Sequence, residues 1–342
     1  MDYPYFHKDL IRSGEPRRAE DVPTLDRARL DDPRTYIPSA ELVEAVNVAL
    51  VLGMPLLLTG EPGTGKTQLA TALGAGLSAP VHKFETKSTS VARDLFYAFD
   101  ALSAFKADKG ADQRTFVRYQ ALGRAILDAF PAETVGHLQP PAGTSDYRHI
   151  GPRRSVVLID EVDKAPRDFP NDVLNEIERL YFRVPELQSA ASPGADGDSK
   201  GVDKRFRPIV VLTSNSEKGL PDPFLRRCVY FDIEFPKSEQ MREIVAAHLS
   251  ELKTDSPLLG DALDLFYKLR NDARQTQLRK QPSTAELLNW LQILMHRGCA
   301  KESRLIVQKD QVVATISTLV KNTEDRKEAI EFVRSPRWGV AG

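Results

Sequence analysis

The sequence has little cysteine, tryptophan or methionine, and almost no excess of charge of either sign. Among 342 residues there are two Cys, two Trp and four Met. Cys228 and Cys299 stand far apart and form no CxxC pair. Neither a disulfide framework nor a zinc knuckle is therefore encoded, and unpaired thiols suit a reducing, cytoplasmic compartment. The six His fall at no metal-ligand spacing. Lys and Arg number 47 against 48 Asp and Glu, for a net charge of -1, so a general electrostatic pull toward nucleic acid is absent. No apolar run approaches the roughly 20 residues of a membrane span. The opening "MDYPYFHKDLIRSGEPRRAED" has no apolar stretch of the kind a signal peptide needs. What remains is an ordinary globular composition, 41% hydrophobic and 28% charged, at a length that accommodates two domains.

Residues 1–35 are charged and proline-rich and read as an extended arm. "PSAELVEAVNVALVLG" reads as a helix opened by Pro38 and Ser39, with an apolar face on Leu42, Val43, Val46, Ala49 and Leu50, and closed by Gly53. "MPLLLTG", "VHKFET" and "SVVLIDEVD" read as buried strands, alternating with helices in "TQLATALGAGL", "YQALGRAILDAF" and "NDVLNEIERLYF". "VARDLFYAFDALSAFKA" is expected to be helical. "FRVPEL" and "RFRPIVVLTSN" are expected as strands around a tip at 188–201, followed by a short helix in "PDPFLRRC" and a strand in "VYFDIEF". Beyond Pro236 the pattern is all helical, in "SEQMREIVAAHLSEL", "GDALDLFYKLRNDAR", "STAELLNWLQILMHRG" and "KDQVVATISTLVKNT". The expected fold is an α/β core on a parallel sheet over 36–236, then a small all-α lid and C-terminal helices over 237–342.

Four stretches carry chemistry. In "GEPGTGKT", Gly60, Gly65, Lys66 and Thr67 fit G-x-x-x-x-G-K-[ST], with Glu61, Pro62, Gly63 and Thr64 between the framing glycines. The glycines let backbone N–H groups turn inward around phosphate oxygens, and the following helix points its positive end at the same place. Lys66 is expected at the β- and γ-phosphates of ATP and the Thr67 hydroxyl on Mg²⁺. "VVLIDEVD" delivers Asp160 and Glu161 at the carboxyl end of a buried strand. Asp160 is assigned to the Mg²⁺ shell and Glu161 to polarising the attacking water. Asp163 is expected to cap the next helix. In "LTSN", period-2 alternation places Thr213 and Asn215 on one face and Ser214 on the other. Asn215 is expected to orient water and sense the γ-phosphate. "LPDPFLRRC" carries Arg226 and Arg227, of which Arg227 is preferred as a finger supplied to a neighbouring subunit.

These four motifs, in this order, resemble an AAA+ ATPase over about Tyr36 to Trp290, most closely the MoxR and dynein-related branch. The resemblance implies a P-loop NTPase αβα core, a homo-oligomeric ring that is often hexameric, and ATP at subunit interfaces. It implies a β-hairpin before the Asn215 strand, formed from "YFRVPEL" and "KRFRPIVV", and an adenine contact from Tyr36 and Ile37. It also implies a lid arginine on the γ-phosphate. The matching stretch here is "KQPSTAELLNW", where Thr284 stands in that place and Arg279 or Lys280 is the nearest substitute.

The resulting expectation is a ring-forming ATPase that remodels or assembles protein clients. By resemblance, the partners include von Willebrand factor A-type proteins. A nucleic-acid motor of a restriction or defence system, a slowly hydrolysing scaffold and a small-molecule kinase are the alternatives. "DKRFRP" and "KADKGADQRTFVRYQ" are the basic stretches a nucleic-acid motor would use, and a kinase has no need of an Asn strand followed by paired arginines.

Overall fold

The computed structural model describes residues 5, 20, 22–25, 32–108, 110–180, 182–187, 203–216, 219–271, 278–336 and 338. The chain divides into two compact units, one of residues 38–235 and one of residues 1–37 with 236–342.

The first unit is built on a five-stranded, wholly parallel sheet: β1 (Leu56–Thr59), β2 (Val81–Glu85), β5 (Val156–Asp160), β6 (Ile209–Thr213) and β7 (Val229–Asp232), in the order β2-β5-β6-β1-β7. Every residue of β1, β5 and β6 is buried. Strands covered on both faces read as unbroken apolar runs, which is why "LLL", "VVLI" and "IVVL" were legible without alternation. Val157 and Ile159 of β5 and Val210 and Leu212 of β6 share one core with Leu122, Ile126, Val173 and Ile177. Helix α1 (Ala40–Leu52) lies against β7 and β1, and α2 (Lys66–Gly76) against β5. Helix α3 (Ala121–Asp128) lies against β2 and β5, while α4 (Phe169–Arg179) follows β5 in the chain. Ser39 caps α1 by accepting from Leu42 N–H, and Gly53 ends it at φ 63°. α1 buries Leu42, Val46 and Ala49, while Val43, expected on the apolar face, is exposed together with Val48 and Val51.

Three expected elements differ. "VARDLFYAFDALSAFKA" is not one helix. It forms a 3₁₀ turn (Ala92–Leu95), the strand β3 (Tyr97–Phe99) and a short helix (Ala101–Lys106) capped by Asp100. β3 pairs antiparallel with β4 (Val117–Tyr119), a segment not foreseen as a strand. The aromatics decide this, since Phe96 stacks on Phe182 at 5.2 Å and the Tyr119 hydroxyl donates to Leu138 O at 2.7 Å. "FRVPEL" forms no continuous strand: Arg183 makes an isolated bridge, and Pro185–Leu187 is a 3₁₀ turn, because Pro185 lacks the N–H a ladder needs. Lys204–Phe206 is likewise a 3₁₀ turn, so the expected hairpin is absent among the described residues, and its tip at 188–201 lies outside them.

The second unit carries α5 (Ser238–His248), α6 (Pro257–Asn271), α7 (Thr284–His296), α8 (Lys309–Thr315) and α9 (Thr323–Arg334). Its core includes Leu287, Trp290, Leu291, Leu294, Phe332 and Val333, and Trp290 Nε1 donates to Thr315 Oγ1 at 3.0 Å. α9 falls within the expected C-terminal helices, although its stretch is not named among them. Its apolar stripe is narrow among many charges, and what specifies it is the Asn322 cap, which accepts from Asp325 N–H. No helix among the described residues is long and apolar enough to cross a membrane.

The carboxylate of Asp128 ties three segments of the first unit together. It is fully buried. Tyr147 OH donates to Oδ1 at 3.1 Å, while His82 Nε2 at 3.2 Å, Arg153 Nε at 3.1 Å and Ser155 Oγ at 3.2 Å surround Oδ2. Burial alone would push its pKa up, but the hydrogen bonds from His82 and Arg153 prevail and hold it below the ordinary value. Its contribution is therefore complete above the unfolded-state carboxyl pKa, about 4, and is lost as pH falls through the lower folded value. Asp128→Asn is expected to cost about 2–4 kcal/mol at pH 7, somewhat under a fully buried pair because Arg153 keeps solvent contact. The difference from the unaltered protein should shrink below about pH 4. Guanidinium unfolding of both proteins at pH 7 and pH 3.5 measures it.

Candidate nucleotide site

The loop between β1 and α2 turns on glycine. Gly60, Gly63 and Gly65 have φ of 135°, 84° and 93°, values that favour residues without a Cβ. At Gly60 a Cβ would also stand 2.5 Å from Ile233 O. Thr64 Oγ1 donates to Glu61 O at 2.9 Å and braces the bend. Gly65 is the N-cap of the 11-residue α2, and no side chain caps it. The first-turn N–H groups of α2 are thus left to an external acceptor. Lys66 is 7% exposed, and its Nζ donates to the carbonyls of Gly60 at 2.6 Å and Glu61 at 2.9 Å. Burial pulls its pKa below the ordinary lysine value, against the opposing fields of Asp163, Asp160, Asp232 and Glu161.

Beside the loop, the carboxyl ends of β5 and β6 converge on one carboxylate. Asp160 Oδ1 accepts from Thr213 Oγ1 at 2.6 Å and from Thr67 Oγ1 at 3.1 Å. Oδ2 lies 3.3 Å from Thr67 Oγ1 and 3.2 Å from Lys83 Nζ. A threonine hydroxyl has a single hydrogen and two lone pairs. When Thr67 gives that hydrogen to Asp160, its lone pairs stay free for a hard cation. The pair therefore fits Mg²⁺, with Thr67 as ligand and Asp160 holding its orientation. Among the described residues there is no cluster of three or more His, Cys, Asp or Glu poised to hold a metal.

Glu161 follows in a left-handed conformation, φ 58° and ψ 53°. This is uncommon for a residue with a side chain and is held here by two contacts. Its N–H donates to Thr213 Oγ1 at 2.9 Å, and its carboxylate accepts from Lys164 Nζ. Asn215 lies one residue beyond Ser214, outside the strand, because β6 ends at Thr213. Strand alternation therefore does not set which face Asn215 takes. Its N–H is 3.3 Å from Asp163 Oδ1, so Asp163 links the two strand ends. Arg226 and Arg227 are exposed. Arg227 Nη1 donates to Asn175 Oδ1 on α4 at 3.0 Å, and its Nε is 3.8 Å from Glu178.

The loop, Thr67, Asp160, Glu161 and Asn215 thus belong to the first unit. Tyr36, Ile37, Thr284, Arg279 and Lys280 belong to the second. There, Tyr36 is half-buried, which pushes its phenol pKa up. Thr284 begins α7 behind the Ser283 cap, with Oγ1 buried and unpaired. Arg279 pairs with Glu324 at 2.6 Å, and the N–H groups of Arg279 and Lys280 donate to Asp325.

The family described as "AAA domain (dynein-related subfamily)" matches residues 55–228, just over half of the chain. The chain belongs to this family. The proteasome-associated ATPase of Sanguibacter keddieii is 26% identical over 211 residues, 61% of this chain and 33% of that relative. The Lon protease of Desulforamulus reducens is 26% identical over 232 residues, 68% of this chain and 24% of that relative. The chain thus spans between about a quarter and a third of the length of these relatives. The RuvB Holliday junction branch migration motor of Thermotoga maritima covers 85% of this AAA+ chain with 66% of its own, at 13% identity and a TM-score of 0.38, too distant to add to the argument.

Two members of this AAA+ constellation were not assigned a role on sequence grounds, Thr213 and Lys83. The sequence places Thr213 only on the face expected for Asn215. Its position at the end of a buried strand was the available signal, but that β6 neighbours β5 is a matter of sheet order. Thr213→Val keeps the shape while removing the hydroxyl shared by Asp160 and the Glu161 N–H. A loss of about 1–3 kcal/mol is expected, with Thr213→Ser close to unaltered, in guanidinium unfolding at pH 7.

Proposed function

We propose that this chain is a MoxR-like, ring-forming ATPase that couples hydrolysis of ATP to ADP and phosphate to the remodelling or assembly of protein partners. The observation that carries the reading is the Asp160 carboxylate, bound by Thr67 from the phosphate loop and by Thr213 from the next strand, with Glu161 directly after it. The loop N–H groups and Lys66 take the phosphates. Mg²⁺, held through Thr67 and Asp160, supplies charge neutralisation on the phosphate oxygens when bound. Glu161 accepts a proton from water, and Asn215 orients that water. Arg227, exposed and anchored on α4, is offered to a neighbouring copy, which is why a homo-oligomer, of hexameric type, is part of the proposal.

Within this reading residues 36–236 are the nucleotide-binding core and 237–342 the lid and C-terminal helices. A cytoplasmic setting follows from the unpaired thiols. Protein clients, including von Willebrand factor A-type partners, come from the resemblance to the MoxR branch. A slow, switch-like scaffold is the second reading. It is favoured by the Lys164 contact on the Glu161 carboxylate and by Thr284 in place of a lid arginine.

Lys66→Ala is expected to abolish ATP binding, read by titration with a fluorescent ATP analogue. Glu161→Gln should retain binding and lower phosphate release by about 10²–10⁴-fold, the usual worth of a general base. Release that is already negligible in the unaltered protein would favour the scaffold reading. Arg227→Ala is expected to lower turnover by about 10³-fold or more with binding kept. Mixing it with Lys66→Ala subunits should restore part of the activity, and full turnover in a strictly monomeric preparation would exclude a finger acting between subunits.

A further inference from the structure

We infer that Lys83 is a positioning residue that acts as an internal counter-ion for Asp160. It holds the carboxylate in place before the divalent cation arrives and lowers the affinity for that cation. The inference rests on the reading of Thr67 and Asp160 as the cation's holders.

Lys83 is an exposed cation in the edge strand β2, whose next strand in the sheet is wholly buried. β2 pairs with β5 in parallel register, so Lys83 stands opposite Leu158 and Glu85 opposite Asp160. Its Nζ reaches forward along the sheet edge. There it is 3.2 Å from Asp160 Oδ2 and 2.8 Å from Glu85 Oε1. The backbone closes the same joint, with Thr86 N–H donating to Asp160 O at 3.1 Å. Asp160 is a nearly buried carboxylate, 8% exposed. The two threonine hydroxyls satisfy its lone pairs but bring no net positive charge, and isolated buried charge is costly. Among the described residues Lys83 is the ammonium within ion-pair distance of Asp160, and it adds to the more distant field of Lys66 in offsetting that charge.

A cation approaching Thr67 and Asp160 meets a carboxylate whose charge is already shared. Two positive charges around one carboxylate repel each other, so the cation's binding is weakened by whatever Lys83 contributes. The Lys83 side chain is 41% exposed, which leaves its Nζ able to withdraw toward Glu85 and solvent. Screening by that solvent keeps the effect moderate. A residue needed only to shape the site would act in the opposite sense, because its removal would loosen the cation.

The test uses the full chain with Mn²⁺ and a non-hydrolysable ATP analogue, reading free Mn²⁺ by electron paramagnetic resonance. A parallel thermal melt is run in chelator without nucleotide. Lys83→Met, which keeps the aliphatic stem, is expected to bind Mn²⁺ about three- to tenfold more tightly and to melt lower in chelator than the unaltered protein. Lys83→Arg, which keeps the charge, should follow the unaltered protein in both measurements. Weaker or unchanged Mn²⁺ binding by Lys83→Met, with tight nucleotide-dependent binding by the unaltered protein, would overturn the counter-ion role and leave the site reading standing. No nucleotide-dependent Mn²⁺ binding by the unaltered protein would overturn both.

Discussion

A carboxylate at the end of a buried strand has to be surrounded by donors, and the arrangement of this site follows from meeting that need at Asp160. Its oxygens are reached from three directions: by Thr67 from the phosphate loop, by Thr213 from β6 and by Lys83 from β2. Each contact fixes the supporting element as much as it satisfies the acid. Thr67 sets the first turn of α2 against β5. Thr213 holds the β6 end and, through the same hydroxyl, the N–H of Glu161. The left-handed backbone at Glu161 persists because it is held at both ends, by Thr213 on the N–H and by Lys164 on the side chain.

Other polar groups at the strand ends are used in this way, with the buried Thr86 hydroxyl an exception among the described residues. The Ser214 N–H donates to Leu58 O, and the Thr59 hydroxyl donates to Asp232 at 2.6 Å, so β6, β1 and β7 are joined at their carboxyl ends as well as along their ladders. At the other end of the sheet Asp128 does the same for the loop that leads into β5. A parallel sheet sealed on both faces leaves few places for charge. Those it has lie at strand ends, where neighbouring strands and the phosphate loop supply partners. This is the physical reason the candidate nucleotide site sits here and not on a sheet face.

Much of this was legible in the chain. The strand cores were plain because Leu56–Leu58, Val156–Ile159 and Ile209–Leu212 are apolar without interruption. The phosphate loop was plain because its glycine spacing matches its backbone requirement. Elements that depend on contacts distant in sequence were misjudged. Tyr97 to Phe99 forms a strand because Val117 to Tyr119 pairs with it, and that pairing overrode a helical-looking pattern. The α9 helix could not be singled out within the expected C-terminal helices because local propensity and a narrow stripe carry weak signals when packing supplies most of a helix's stability.

The sequence by itself determined the phosphate loop, the acids at the end of β5, the buried strands and the family, since each depends on residue types at fixed short spacings. Tertiary structure alone decided which side chains share the Asp160 carboxylate. Thr67, Lys83 and Thr213 are scattered along the chain and meet only because the strand order places β5 between β2 and β6. It decided too that Arg227 is anchored on Asn175 of α4, and that Glu161 takes a conformation no local preference would give it. Those outcomes are set by sheet order and by the need to satisfy a buried charge, and neither is written in any one stretch of sequence.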